Sequence, residues 1–156
     1  MKKWAINLWM VCVLLIMATG CTKKPINEDV EGFWILKSFT TLADGEVHQC
    51  NRLYYSITCM VTEVSEKQGD KGLDAYVGRT GYNGNETQLI LSDFKLKEDV
   101  SENKSTTGDL KENAPVEGLR EYGINSQEIT VFDIVKCDGK SMILQSDYAR
   151  LELEKF

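Results

Sequence analysis

The chain has 156 residues, with 18 basic and 24 acidic side chains, a formal charge of −6 and a single histidine. That length suits one domain and is short for two. The acidic balance argues against nucleic acid, whose binding is led by Lys and Arg neutralising phosphates. One histidine leaves little for catalysis, since Ser-His-Asp and Cys-His arrangements would both depend on His48.

The first element in chain order is an export signal. Met1-Lys2-Lys3 precedes an apolar run from Trp4 to Ala18, broken only by Asn7. The lysines hold the start on the cytoplasmic side while the run enters the export machinery. The run is shorter than the ~20 apolar residues of a spanning helix. Ala18-Thr19-Gly20-Cys21 resembles the lipobox of bacterial lipoproteins, with Ala in place of the usual Leu three residues before the cysteine. The resemblance implies cleavage before Cys21 and lipidation of its thiol. Residues 1–20 are therefore read as a signal, 21–31 as a lipidated tether without an apolar pattern, and 32–156 as the domain. The processed chain keeps 16 basic against 24 acidic residues, a formal charge of −8. Acyl chains, not surface charge, would hold it to the membrane. No acidic run follows Cys21, which points to the periplasmic side of the outer membrane.

From Phe33 onward the period is two. Phe33, Ile35 and Phe39 alternate with Trp34, Leu36 and Ser38, a strand apolar on both faces. Leu53, Tyr55, Ile57, Cys59 and Val61 share one face of a single long strand reaching Thr62. Asp74 to Tyr82 is the next strand, and Asn83-Gly84 signals a hairpin into Thr87–Phe94. Residues 95–117 are polar and charged, and read as a mobile loop ending near Pro115. Order returns at Glu117–Ile124. The segment Glu128–Lys136, the turn Asp138-Gly139, the return strand Ser141–Gln145 and a last strand Tyr148–Phe156 follow. No helical period is convincing anywhere in the mature chain. About eight antiparallel strands in a meander avoid exposed edges most simply by closing into a barrel, an all-β fold.

Gly32-Phe33-Trp34 resembles the Gly-x-Trp signature of lipocalins. With the strand from Arg52, the Asn-Gly hairpin and the closing strands through Phe156, the chain resembles bacterial lipocalin-like lipoproteins. The resemblance implies an up-and-down barrel with a cavity for a small apolar ligand. It also implies a floor in which Gly32 and Trp34 open the first strand and an arginine near the last strand packs over the ring. Arg150 is the candidate, with Arg120 competing. The cavity would be lined by Tyr55, Ile57, Cys59, Leu89, Leu91 and Val131.

Other chemistry is sparse. Cys50, Cys59 and Cys137 remain after processing and allow at most one disulfide, Cys50–Cys59 or Cys50–Cys137, with a buried free thiol the plainer reading of Cys59. His48 beside Cys50 reads as an accident of spacing. Asp93 and Asp133 fall on apolar strand faces, where pairing with Arg79 or Arg150 or exposure at a rim is the plainer fate. Asp70 and Asp74 lack a calcium-loop pattern. No catalytic set, metal site or cofactor motif is visible. The expected function is non-enzymatic binding of a small apolar or amphipathic ligand. The alternative is a filled barrel working through its surface and the 95–117 loop.

Overall fold

A computed structural model of the chain describes residues 25–97 and 112–156. The signal segment and Cys21, and most of the polar stretch expected to be a loop, lie outside the described residues. Eight strands follow in order: β1 (Gly32–Thr41), β2 (Val47–Ile57), β3 (Val61–Glu66), β4 (Tyr76–Tyr82), β5 (Gln88–Leu96), β6 (Ile129–Cys137), β7 (Ser141–Gln145) and β8 (Ala149–Lys155). Each pairs antiparallel with the next, and β8 closes on β1, so no strand is left with an open edge. The all-β barrel expected from the alternation is the fold. Among the described residues no helix is long and apolar enough to cross a membrane.

Side chains alternate across the wall, and the inward set forms one core of Trp34, Leu36, Phe39, Leu53, Tyr55, Ile57, Leu89, Leu91, Phe132, Leu151 and their neighbours. The alternation changes phase within β1. Trp34 and Leu36 point inward, the register slips between Leu36 and Ser38, and Phe39 and Thr41 point inward thereafter. Phe33 and Phe39, assigned to one face by strict alternation, therefore lie on opposite faces.

The long strand expected over Leu53–Thr62 is two strands joined by a tight turn. Thr58 makes that turn: its hydroxyl donates to the Val61 carbonyl at 2.8 Å and accepts from the Val61 amide at 3.1 Å. The apolar spacing of Ile57, Cys59 and Val61 continues through the reversal, which hides it in the sequence. The two Gly-containing turns do join strands. Asn83 accepts from the amides of Thr87 and Gln88, and Asp138 accepts from those of Lys140 and Ser141. Those two bonds, with Lys136 alongside, hold the Asp138 carboxyl well below its usual range.

The barrel has a floor, where β1 begins and β8 ends, and a mouth, where β1 ends and β8 begins. Part of the expected 95–117 loop is ordered by pairing: Lys95 and Leu96 complete β5, and Lys95 bridges to Asn113. A short helix, α1 (Val116–Arg120), follows at the mouth and corrects the expectation of no helix. Pro115 sits just before its first turn, where a missing N–H costs nothing.

Candidate functional site

The floor is built from strand residues in register. Trp34 is fully buried and its indole N–H donates to the Val30 carbonyl at 2.8 Å. Lys155, its partner across the β1–β8 ladder, lies over the ring at 4.3 Å from the centroid. The same ammonium donates to the Glu31 carbonyl at 3.0 Å. Gly32 stands where a Cβ would overlap the end of the Lys155 side chain, and its φ of +147° is one that other residues rarely adopt. Residues 26–31, read as part of a spacer, instead turn back and seal this end: Val30 is fully buried, and Glu31 accepts from the amides of Ile26 and Asn27.

The cation over Trp34 is thus Lys155 rather than Arg150 or Arg120. Arg150 pairs with Thr40 at the mouth and donates to Gln145, facing outward. Arg120 is exposed and donates to Asn125. Parity carries the reason: Ala149, Leu151 and Leu153 face inward, so Lys155 continues their side and Arg150 cannot.

The mouth is closed differently, by a segment brought from the β5–β6 connection. Leu119 on α1 and Tyr122 and Ile124 just after it are fully buried. The turn that follows α1 closes on Gly123 at φ +78°, with the Ile124 amide bonded to the Leu119 carbonyl and the Gly123 amide to that of Arg120. This Schellman ending drives Leu119 and Ile124 together into the barrel. A Cβ on Gly123 would press on Leu151 and Phe39, so the turn sits down among the wall side chains. Two tyrosine hydroxyls fasten it. Tyr55, in the centre of the core, donates to the Tyr122 carbonyl at 2.6 Å, and Tyr122 donates to the Asp74 carbonyl at 2.8 Å. Burial pushes both phenols well above their ordinary range. Beside this plug is an open hollow of about 260 Å³ lined by Leu42, Ala43, Asn125, Asp147 and Tyr148.

Of the six residues expected to line a cavity, Tyr55, Ile57, Leu89 and Leu91 are buried in the interior. Val131 is 40% exposed: the pairs Leu89–Phe132 and Leu91–Thr130 turn Phe132 and Thr130 inward and leave Val131 outside. Cys59 lies half-buried in the β2–β3 turn. Periodicity missed the plug because Leu119, Tyr122 and Ile124 span too few residues for a helical repeat. The available signals were Pro115 before them and Gly123 within them.

Cys50, Cys59 and Cys137 are all free thiols. Cys50 meets the His48 backbone carbonyl at 3.7 Å, while the imidazole stacks on Phe39 at 4.5 Å. Burial pushes the Cys50 thiol up to about 11, the reverse of an activated nucleophile. Asp93 is paired with Lys95 and, less closely, with Arg79 on the outer wall, which lowers its carboxyl, and Asp133 accepts from Gln88. Among the described residues no group of three or more His, Cys, Asp or Glu is placed to hold a metal ion.

An eight-stranded up-and-down barrel with a tryptophan floor under a cation defines a lipocalin-type fold. Residues 14–156 match the lipocalin-like domain family, and the chain belongs to it. Two solved structures share the fold. One is a lipocalin-like protein from Bacteroides uniformis ATCC 8492, with 17% identity, 82% of this chain and 99% of that chain covered, and a TM-score of 0.54. The other is an uncharacterized protein from Bacteroides eggerthii DSM 20697, with 15% identity, coverage of 82% and 100%, and a TM-score of 0.52. No curated protein matches the chain.

Proposed function

We propose that the protein is a non-enzymatic envelope lipoprotein, anchored through lipid on Cys21 at the periplasmic face of the outer membrane, whose barrel takes up a small apolar or amphipathic molecule at its mouth. The observation that carries the uptake reading is the plug. It is not part of the wall, and its two cross-links from tyrosine hydroxyls to backbone carbonyls are of a kind a ligand could replace. A molecule with an apolar body and one hydrogen-bond acceptor would displace Leu119 and Tyr122 and offer that acceptor to Tyr55. The anchor reading rests on Ala18-Thr19-Gly20 before Cys21.

Displacement of a lipophilic naphthylamine dye, with native mass spectrometry of the protein as purified, tests the uptake. Dye fluorescence that rises on binding at one site per chain, and falls as a long-chain fatty acid whose carboxylate can accept from Tyr55 displaces the dye, is the expected result. A silent dye together with a bare mass would sink it.

A second reading draws on the packing itself. Trp34, Tyr55, Phe94 and Phe132 are all fully buried in the interior. A barrel filled this way would work through its surface, and deleting residues 99–110 would then abolish partner capture without lowering the melting temperature.

A further inference from the structure

The floor residues fix more than the barrel's closure, because they also shorten the link to the lipid. We infer that the floor end of the barrel lies against the bilayer; this rests on the reading of Cys21 as the lipid anchor.

A free tether over residues 21–31 would reach roughly 35 Å, enough for the domain to tumble clear of the surface. The structure removes most of that length. Residues 26–31 are folded onto the floor by the Asn27–Glu31 turn, by the buried Val30 and by the bond from Trp34 to the Val30 carbonyl. The link from Cys21 to Pro25 then spans at most about 15 Å even fully extended. The floor is held at the lipid headgroups, while the mouth is a strand length away, roughly 25 Å for a tilted wall.

The floor also carries side chains suited to that position. Ile26 is 50% exposed, Met60 at the β2–β3 turn 58% and Phe156 75%. Phe156 packs edge-on against Phe33 at 5.2 Å, and Phe33 stacks on Tyr54 at 5.2 Å, with the Lys67 ammonium 4.7 Å from the Phe33 ring. Half-exposed rings with a lysine beside them are the composition that favours the headgroup region, where one end of each side chain is apolar and the other wet. The mouth has exposed aliphatic residues too, Leu42, Val47 and Ile129. It has no comparable ring cluster among the described residues, and the short link cannot bring it down. The floor carries charges of both signs, Glu28, Asp29 and Glu86 beside Lys136 and Lys140, so the exposed apolar groups rather than net charge make the contact and a zwitterionic surface suffices for it.

The test uses the full-length lipoprotein, isolated from membranes and placed in phosphatidylcholine nanodiscs, with amide hydrogen exchange read by mass spectrometry. Its comparison is the same chain with a ten-residue Gly-Ser spacer inserted after Lys24, which leaves the barrel untouched. Amides of residues 58–60, 83–87 and 138–140 are expected to exchange at least threefold more slowly with the native link than with the spacer, and those of 42–46 and 146–148 equally in both. Equal exchange at the floor, or protection at the mouth instead, overturns the inference while an intact mass showing acyl chains leaves the anchor standing. An intact mass without acyl chains overturns both.

Discussion

The two ends of the barrel are closed by different means, and the contrast separates what a strand pattern can encode from what it cannot. The floor is sealed by residues within or directly before β1 and β8, with Trp34 and Lys155 opposite each other in the ladder and Val30 four residues before the tryptophan. The mouth is sealed by Leu119, Tyr122 and Ile124, delivered from a connection and pinned by hydrogen bonds that join residues 67 and 48 positions apart. A seal built on wall residues, with only the turn that leads directly into β1 added to them, opens when the wall does. A seal carried on a connection can open by itself, and local opening of such segments is how binding sites are usually reached.

The largest expected effect is at the floor. Trp34→Ala removes a fully buried ring, its indole bond and the surface under Lys155, and should cost about 3–5 kcal/mol in urea unfolding. Leu119→Ala, also fully buried, should cost about 2–3 kcal/mol but spend it differently. Hydrogen exchange should show amides 116–124 losing protection while those of β1 and β8 keep theirs. If Leu119→Ala instead lowers protection throughout the wall in step with the plug, the two ends are one cooperative unit and the distinction falls.

The sequence carried the floor more clearly than the mouth, and the reasons are physical. Alternation along β8 places Lys155 on the side of Leu151 and Leu153, so the cation over Trp34 is legible there, whereas the resemblance to lipocalins implies an arginine and points to Arg150. Asn83 and Asp138 announce their turns because each side chain accepts from backbone amides just ahead of it. Three features defeat a period-two reading. The slip between Leu36 and Ser38 reverses the faces of β1, the Thr58 turn interrupts a spacing that continues across it, and the pairing of β5 with β6 turns Val131 outward. The first and third depend on which strand lies alongside, which a single strand's pattern does not hold, and the second on one hydroxyl that the apolar spacing runs straight past.

A medium effect should separate the ends by pH. Tyr55→Phe leaves the buried Tyr122 carbonyl without its donor, a loss of about 1–3 kcal/mol at pH 8. The Tyr55 phenol is raised in the folded state, so its contribution is complete below the ordinary tyrosine range and is lost as the pH rises above about 10, where the unfolded chain ionises and the folded one cannot. The stability gap between wild type and Tyr55→Phe should therefore narrow from pH 8 to pH 11. A gap that stays constant would mean that the hydroxyl is not sealed under the plug.

The smallest effect is the finest test of the floor. Lys155→Met keeps most of the side-chain bulk but removes the cation over Trp34 and the donor to Glu31, and should cost about 0.5–2 kcal/mol. Gly32→Ala forces the same ammonium aside and strains a backbone that favours glycine, so part of its cost is the same lost contact. The two losses overlap, and the double variant should be less destabilised than the sum of the singles by about 0.5 kcal/mol or more. Strict additivity would mean that Gly32 is required by its backbone angle alone, and that the room it leaves for Lys155 contributes nothing to closing the barrel.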